Sequence, residues 1–145
     1  MSKDGFDFWL GSWDVSWDGD GGLRRSGANT ITRVNGTIRE LFTDADSADA
    51  YIGASVSTWD ARADHWLQDY WDNRGYSALF RGSRVADRMI LERVPGPEPG
   101  PLTRLVWSEI LPESILWNYE RQVADGTWES TWQIHYTRRK AEAFG

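Results

Sequence analysis

A chain of 145 residues with 40% apolar side chains and ten tryptophans can bury about two thirds of its unfolded surface in one domain, which excludes intrinsic disorder. An excess of 22 acidic over 16 basic residues gives net charge −6 and argues against nucleic acid as a partner, because a phosphate-binding surface needs the opposite sign. The absence of cysteine rules out disulfides, thiolate catalysis and cysteine-ligated metals.

The opening MSKDGFDFWL lacks the basic and long apolar regions of a secretory leader, and no apolar run approaches the ~18 residues that span a membrane. The expectation is a soluble cytoplasmic protein without a membrane partner, monomeric or homodimeric. Lysine occurs only at positions 3 and 140, so arginine carries nearly all the positive charge and favours fixed, bidentate pairing.

In chain order, FDFWLGSWDVSWDG places tryptophan at 9, 13 and 17, a spacing that imitates a helix. Gly11 and Val15 are poor helix residues, so the segment divides. Residues 6–10 predict a short helical cap, and a strand follows in which Trp13, Val15 and Trp17 alternate with polar neighbours. DGDGG (18–22) is a turn, a strand runs from Gly27 to Val34, and Asn35-Gly36 is a two-residue hairpin signal leading into TIRELFT. DADSADA (44–50) reads as a polar loop. Further strands are YIGASVSTW (51–59), HWLQDYWD (65–72), YSALFRG (76–82) and RVADRMILERV (84–94). Four prolines in VPGPEPGP (94–101) forbid ladder bonding and predict an exposed loop. LTRLVWSEI, SILWNYERQ and TWESTWQIHYTRR complete about ten short strands, joined by the LPE turn and by Ala124-Asp125-Gly126. The fold class is all-β: an up-and-down antiparallel barrel of about ten strands, in one domain spanning 1–145.

FWLGSW, an aromatic turn followed by G-x-W on the first strand, resembles the calycin barrels: lipocalins, fatty-acid-binding proteins and the nitrobindin-like group. The resemblance implies that Trp13 sits at the closed end beneath a cation from the last strand, Arg138 or Arg139. The chain is also similar to a bacterial family of about this length that opens FDFWLGxWDV. That family carries a W-x-Q-x-W-x-D-x-x-G-like stretch and ends W-x-I-x-Y-x-R. The counterparts are Trp66, Gln68, Asp72 and Gly75, with Tyr70 departing from the second tryptophan, and Trp132, Ile134, Tyr136 and Arg138. This likeness implies fold more sharply than activity.

Parity selects the residues that face a barrel interior. In TIRELFT, Ile38, Glu40 and Phe42 share a face. A carboxylate in an aromatic cavity is a general acid/base candidate, and its bland counterpart is an ion pair with a cavity arginine. Trp66, Gln68, Tyr70 and Asp72 share a face suited to a flat ligand with polar edges, opposite His65, Leu67, Asp69 and Trp71. Ser55 and Ser57 lie beside Gly53 and read as hydrogen bonders, since no G-x-S-x-G elbow exists. Trp117 and Tyr119 are expected to face in with Arg121, and Trp128, Trp132, Ile134, Tyr136 and Arg138 form the inner face of the last strand. His135 then points outward unless a bulge reverses it, and two separated histidines make a thin case for a metal.

These readings predict a cavity binding a hydrophobic or aromatic small molecule. Trp17, Ser55, Ser57, Trp66, Gln68, Tyr70, Trp117 and Trp132 would contact the ligand. The alternative is a cofactor-independent acid–base enzyme (an isomerase, cyclase, dehydratase or decarboxylase) using Glu40, Tyr136 and Asp72. A haem-binding protein of the nitrobindin type is a lesser alternative. No metal or cofactor is expected.

Overall fold

The computed structural model describes residues 3–44 and 50–140. Ten strands form one closed antiparallel barrel: β1 (Gly11–Asp18), β2 (Arg24–Val34), β3 (Thr37–Asp44), β4 (Ile52–Asp60), β5 (His65–Asp72), β6 (Ser77–Val85), β7 (Arg88–Arg93), β8 (Thr103–Ser108), β9 (Ser114–Gln122) and β10 (Trp128–Arg138). Every strand pairs with its neighbours in sequence, and β1 pairs with β10 to close the barrel. Among the described residues no helix is long and apolar enough to cross a membrane.

Local chemistry explains most boundaries. Asn35 and Gly36 both take positive φ, 51° and 78°, as a tight hairpin with the twist of its strands requires. The stretch 84–94, expected as one strand, is split. Arg84 and Val85 end β6, Ala86 turns at φ 57°, and β7 begins at Arg88. Alanine pays a steric cost there that Asn or Gly would avoid, so Ala86-Asp87 gives little turn signal. Asp44, expected in the polar loop, ends β3 and is buried against Arg25 at 2.8 Å. The rest of that loop, 45–49, lies outside the described residues.

The expected helical cap is a single 3₁₀ turn, Asp7–Trp9, and not a helix. It still plugs one end of the barrel. Phe6 stacks on Trp9 at 4.8 Å and meets the edges of Trp107 and Trp66 at 5.0 and 5.5 Å. Trp13 donates its indole N–H to Trp9 O at 2.9 Å. Over the Trp13 ring, at 4.1 Å, lies the Arg138 guanidinium, which also donates to Leu10 O and Pro112 O at 2.8 Å each. Arg138 is therefore the cation above Trp13, whereas Arg139 pairs with Asp14 on the surface at 2.7 Å. Gly11 makes this closure possible. At φ 128° it occupies backbone space that L side chains avoid, and a Cβ there would stand 2.3 Å from Arg138 Nη1.

One bulge alters the face reading of β10. Ser130 pairs with Glu120 but Trp132 pairs with Tyr119, so Thr131 is an extra residue. Trp132, Ile134 and Tyr136 point inward as expected, but Trp128, N-terminal to the bulge, does not. It stacks at 4.1 Å on the guanidinium of Arg104, which is paired with Glu120 at 2.7 Å. Arg121, expected inward, is an exposed partner of Glu129.

Candidate functional site

The inner faces of β3, β5, β6 and β8 to β10, with Tyr51 and Tyr76 beside them, surround a cavity of about 230 Å³. Its lining holds all five tyrosines of the chain: Tyr51, Tyr70, Tyr76, Tyr119 and Tyr136. Phe42, Phe80, Leu105, Trp107, Trp117, Trp132 and Ile134 supply the apolar wall, and Gln68 and Glu40 the remaining polar groups. Trp117 and Trp132 meet edge to face at 5.6 Å, and Trp132 meets Phe42 and Tyr51 at 6.0 and 6.1 Å. Such an arrangement offers both ring faces and ring edges to an aromatic guest.

Glu40 is the one charged residue in this lining among the described residues. Its position follows from register: it lies between Ile31 on β2 and Ser55 on β4. Ser55 Oγ donates to Oε1 at 2.8 Å, and Asn29 Nδ2 donates to Oε2 at 2.8 Å. The same Asn29 Nδ2 donates to Tyr136 Oη, also at 2.8 Å. Burial pushes the Glu40 carboxyl above its ordinary 4.5, and the hydrogen bonds from Asn29 and Ser55 draw it partly back. No arginine neutralises it, so the ion-pair alternative does not hold. Burial, then the nearby Glu40 charge, also raises the Tyr136 phenol. Because Tyr136 Oη accepts from Asn29, its own O–H is available to donate elsewhere.

The open end carries a second polar group. The Tyr51 and Tyr70 hydroxyls are in contact, and Tyr51 Oη donates to Asp72 Oδ2 at 3.2 Å. Burial is the main cause that pushes Tyr51 up to about 12 and raises Tyr70 further. Asp72 Oδ1 accepts the backbone N–H groups of Arg74 and Tyr76 at 2.8 and 3.0 Å, which fixes the β5–β6 turn. Gly53 makes room here, since a Cβ would stand 2.5 Å from the Tyr70 hydroxyl.

Of the residues singled out from sequence, Glu40, Gln68, Tyr70, Trp117, Trp132 and Tyr136 line the cavity. Ser55 and Ser57 stand behind it, bonded to Glu40 and to Gln68 Nε2 (3.2 Å). Trp17 backs the wall against Phe42 and Trp132 at 5.6 and 5.8 Å. Trp66 belongs to the closed-end aromatic cluster, and Asp72 stands at the rim, away from the Asn29-bridged pair. The opposite face of β5 points outward, with Trp71 45% exposed. Neither histidine lines the cavity, and His135 is exposed on the outer face beside Ser16 and Leu116.

Sequence reasoning missed Asn29, Tyr51 and Tyr76. Parity could have found all three: Asn29 alternates with Ile31, Tyr51 with Gly53 and Ser55, and Tyr76 with Ala78 and Phe80. Comparison of the chain with protein-family models and with curated protein sequences gives no match.

Proposed function

We propose that this protein is a calycin-like barrel that binds a compact aromatic or hydrophobic molecule bearing a polar group. The observation that carries the reading is the gathering of all five tyrosines and one unneutralised carboxylate around a single apolar cavity. The Trp13–Arg138 closure and the ten-stranded barrel support the calycin likeness. At about 230 Å³ the space falls below the ~300–1,000 Å³ of drug-sized pockets, which favours a guest of one or two rings. Glu40 would accept a hydrogen bond from the guest and Tyr136 would donate one. Quenching of tryptophan fluorescence across a panel of small phenols, indoles and saturated analogues tests this. Saturable quenching by the aromatic members, weakened in Glu40→Gln and Tyr136→Phe, is expected, and no response from any of them would refute the reading.

A second reading is favoured by the Asn29 bridge. A carboxylate of raised basicity beside a phenol with a free O–H is a base–acid pair suited to enolisation: Glu40 takes a proton from carbon while Tyr136 stabilises the developing oxygen charge. The class of reaction would be isomerisation, cyclisation, dehydration or decarboxylation without a cofactor. Exchange of a bound ketone's α-protons with deuterated solvent, lost in Glu40→Gln, distinguishes it from binding alone.

A further inference from the structure

The open end holds a cation that the cavity reading leaves unused. Arg93 ends β7 directly opposite Phe80, a lining residue, and directly paired residues point to the same side of a sheet. Arg93 therefore faces inward, one step nearer the mouth than Leu91. On the adjacent strand Thr103 stands two residues before Leu105, another lining residue, and the register Leu91↔Leu105, Glu92↔Arg104 runs on to bring Thr103 beside Arg93.

Both residues are half-buried, and each has one buried polar atom without a partner. Arg93 Nε and Thr103 Oγ1 are shielded from solvent and meet no hydrogen-bonding group. Three other half-buried arginines have acceptors: Arg25 in Asp44, Arg104 in Glu120, and Arg138 in backbone carbonyls, while Arg84 lies over the Phe8 ring at 5.3 Å. Unmatched buried donors on a permanently charged group are costly, and a ligand that supplies acceptors recovers that cost. The Arg93 charge is felt at the Tyr76 phenol, where burial and the neighbouring Tyr119 hydroxyl act the other way, so the guanidinium lies beside the tyrosines of the mouth. Its Nη2 also lies against Gly96, 3.6 Å from where a Cβ would stand, in the proline-rich loop between β7 and β8. Four prolines stiffen that loop, so the anchor is held in place before a ligand arrives.

We infer that Arg93 and Thr103 hold the carboxylate of an aromatic acid whose ring enters the cavity below. A single guanidinium fork with one hydroxyl suits a planar, singly charged carboxylate, since the nearby Arg121, opposite Thr103 on β9, is exposed and already paired with Glu129. The inward carboxylates Glu40, Asp44 (paired with Arg25) and Asp72 lie on β3 and β5, so the acid group is directed to the β7–β8 side of the mouth. This inference rests on the cavity reading and assigns the ligand its charge and polarity: acid outward, ring inward.

The test compares 3-(4-hydroxyphenyl)propionate with its primary amide, titrated by tryptophan fluorescence and by the indole N–H signals in NMR. The expected result is that wild-type protein binds the acid at least about tenfold tighter than the amide. Arg93→Gln should abolish that preference, the acid's affinity falling to that of the amide, with an unchanged spread of indole N–H signals showing that the variant is folded. Arg93→Lys should keep part of the preference, and Thr103→Val should reduce it. Equal binding of acid and amide by wild type, or an undiminished preference in Arg93→Gln, overturns the anchor and leaves the cavity reading standing. Failure of both compounds to bind wild type overturns both.

Discussion

Asn29 and Glu40 share a hydrogen bond of 2.8 Å, and through the same amide nitrogen Asn29 reaches Tyr136 at 2.8 Å. One fully buried side chain on β2 thus sets the separation of the carboxylate on β3 and the phenol on β10. Asn29→Leu, similar in size, removes the bridge and leaves two buried polar groups short of a partner. A stability loss of about 1–3 kcal/mol is expected in urea titrations. The Glu40 titration, followed by the ¹³C shift of its carboxyl carbon, should move further upward, because the lost bond favours the ionised form. An unmoved titration would show that the bridge does not govern the carboxylate.

The pH dependence of stability has a definite sign. Burial raises Glu40 in the folded state above its ordinary 4.5, so between that value and the folded value the native protein binds more protons than the unfolded chain. Its stabilising contribution is present in full below 4.5 and is lost as pH rises through the folded value. Glu40→Gln lacks this loss. Urea denaturation at stepped pH should show wild type falling relative to Glu40→Gln as pH climbs, and parallel profiles would contradict the burial argument.

At the closed end, Arg138 couples the last strand to the N-terminal turn through Trp13, Leu10 and Pro112. Arg138→Met keeps much of the apolar stem but loses the cation–π contact and the carbonyl bonds. A destabilisation of about 2–4 kcal/mol follows. Gly11→Ala should be damaging by the same route, since its Cβ displaces the guanidinium. Chemical denaturation measures both, and a neutral Arg138→Met would mean that the aromatic plug alone closes the barrel.

Gly53→Ala is a local probe of the mouth. The added methyl would force the Tyr70 hydroxyl away from Tyr51. Affinity for an aromatic ligand is expected to drop several-fold while the Trp13–Arg138 end is untouched, read by fluorescence titration alongside the thermal midpoint. Loss of stability without loss of affinity would assign the tyrosine contact to the fold alone.

Much of the barrel is legible in the residues because strand alternation and turn chemistry are local. Asn35-Gly36 announces its hairpin, and Trp13, Val15 and Trp17 announce their face. What local pattern cannot carry is tertiary. Ala86 adopts a turn conformation against its preference because β6 and β7 already pair around it, so the hairpin has no signature. The Thr131 bulge reverses Trp128, and nothing in TWESTWQ marks where the extra residue falls. Glu40 and Tyr136 were each legible as inward residues. Their partnership was not, since it runs through an asparagine on the strand beside Glu40 to a tyrosine 107 residues further along the chain. The tryptophans drew attention by number, yet several serve the closed end and the outer surface, and the rarer tyrosines collect at the cavity.

The order of the strands has a kinetic consequence. Nine of the strand pairings can form as hairpins between neighbours, at small cost in loop entropy. The tenth joins Trp13–Ser16 to His135–Arg138, the two extremes of the described chain, and is shorter than the β1–β2 ladder beside it. It can form only when the curved ribbon has brought its ends together, so refolding should end in a zippering of this one seam. In the native protein the same seam is where the ring would open first: amide exchange along β1 and β10 should outpace that of the β4–β5 ladder.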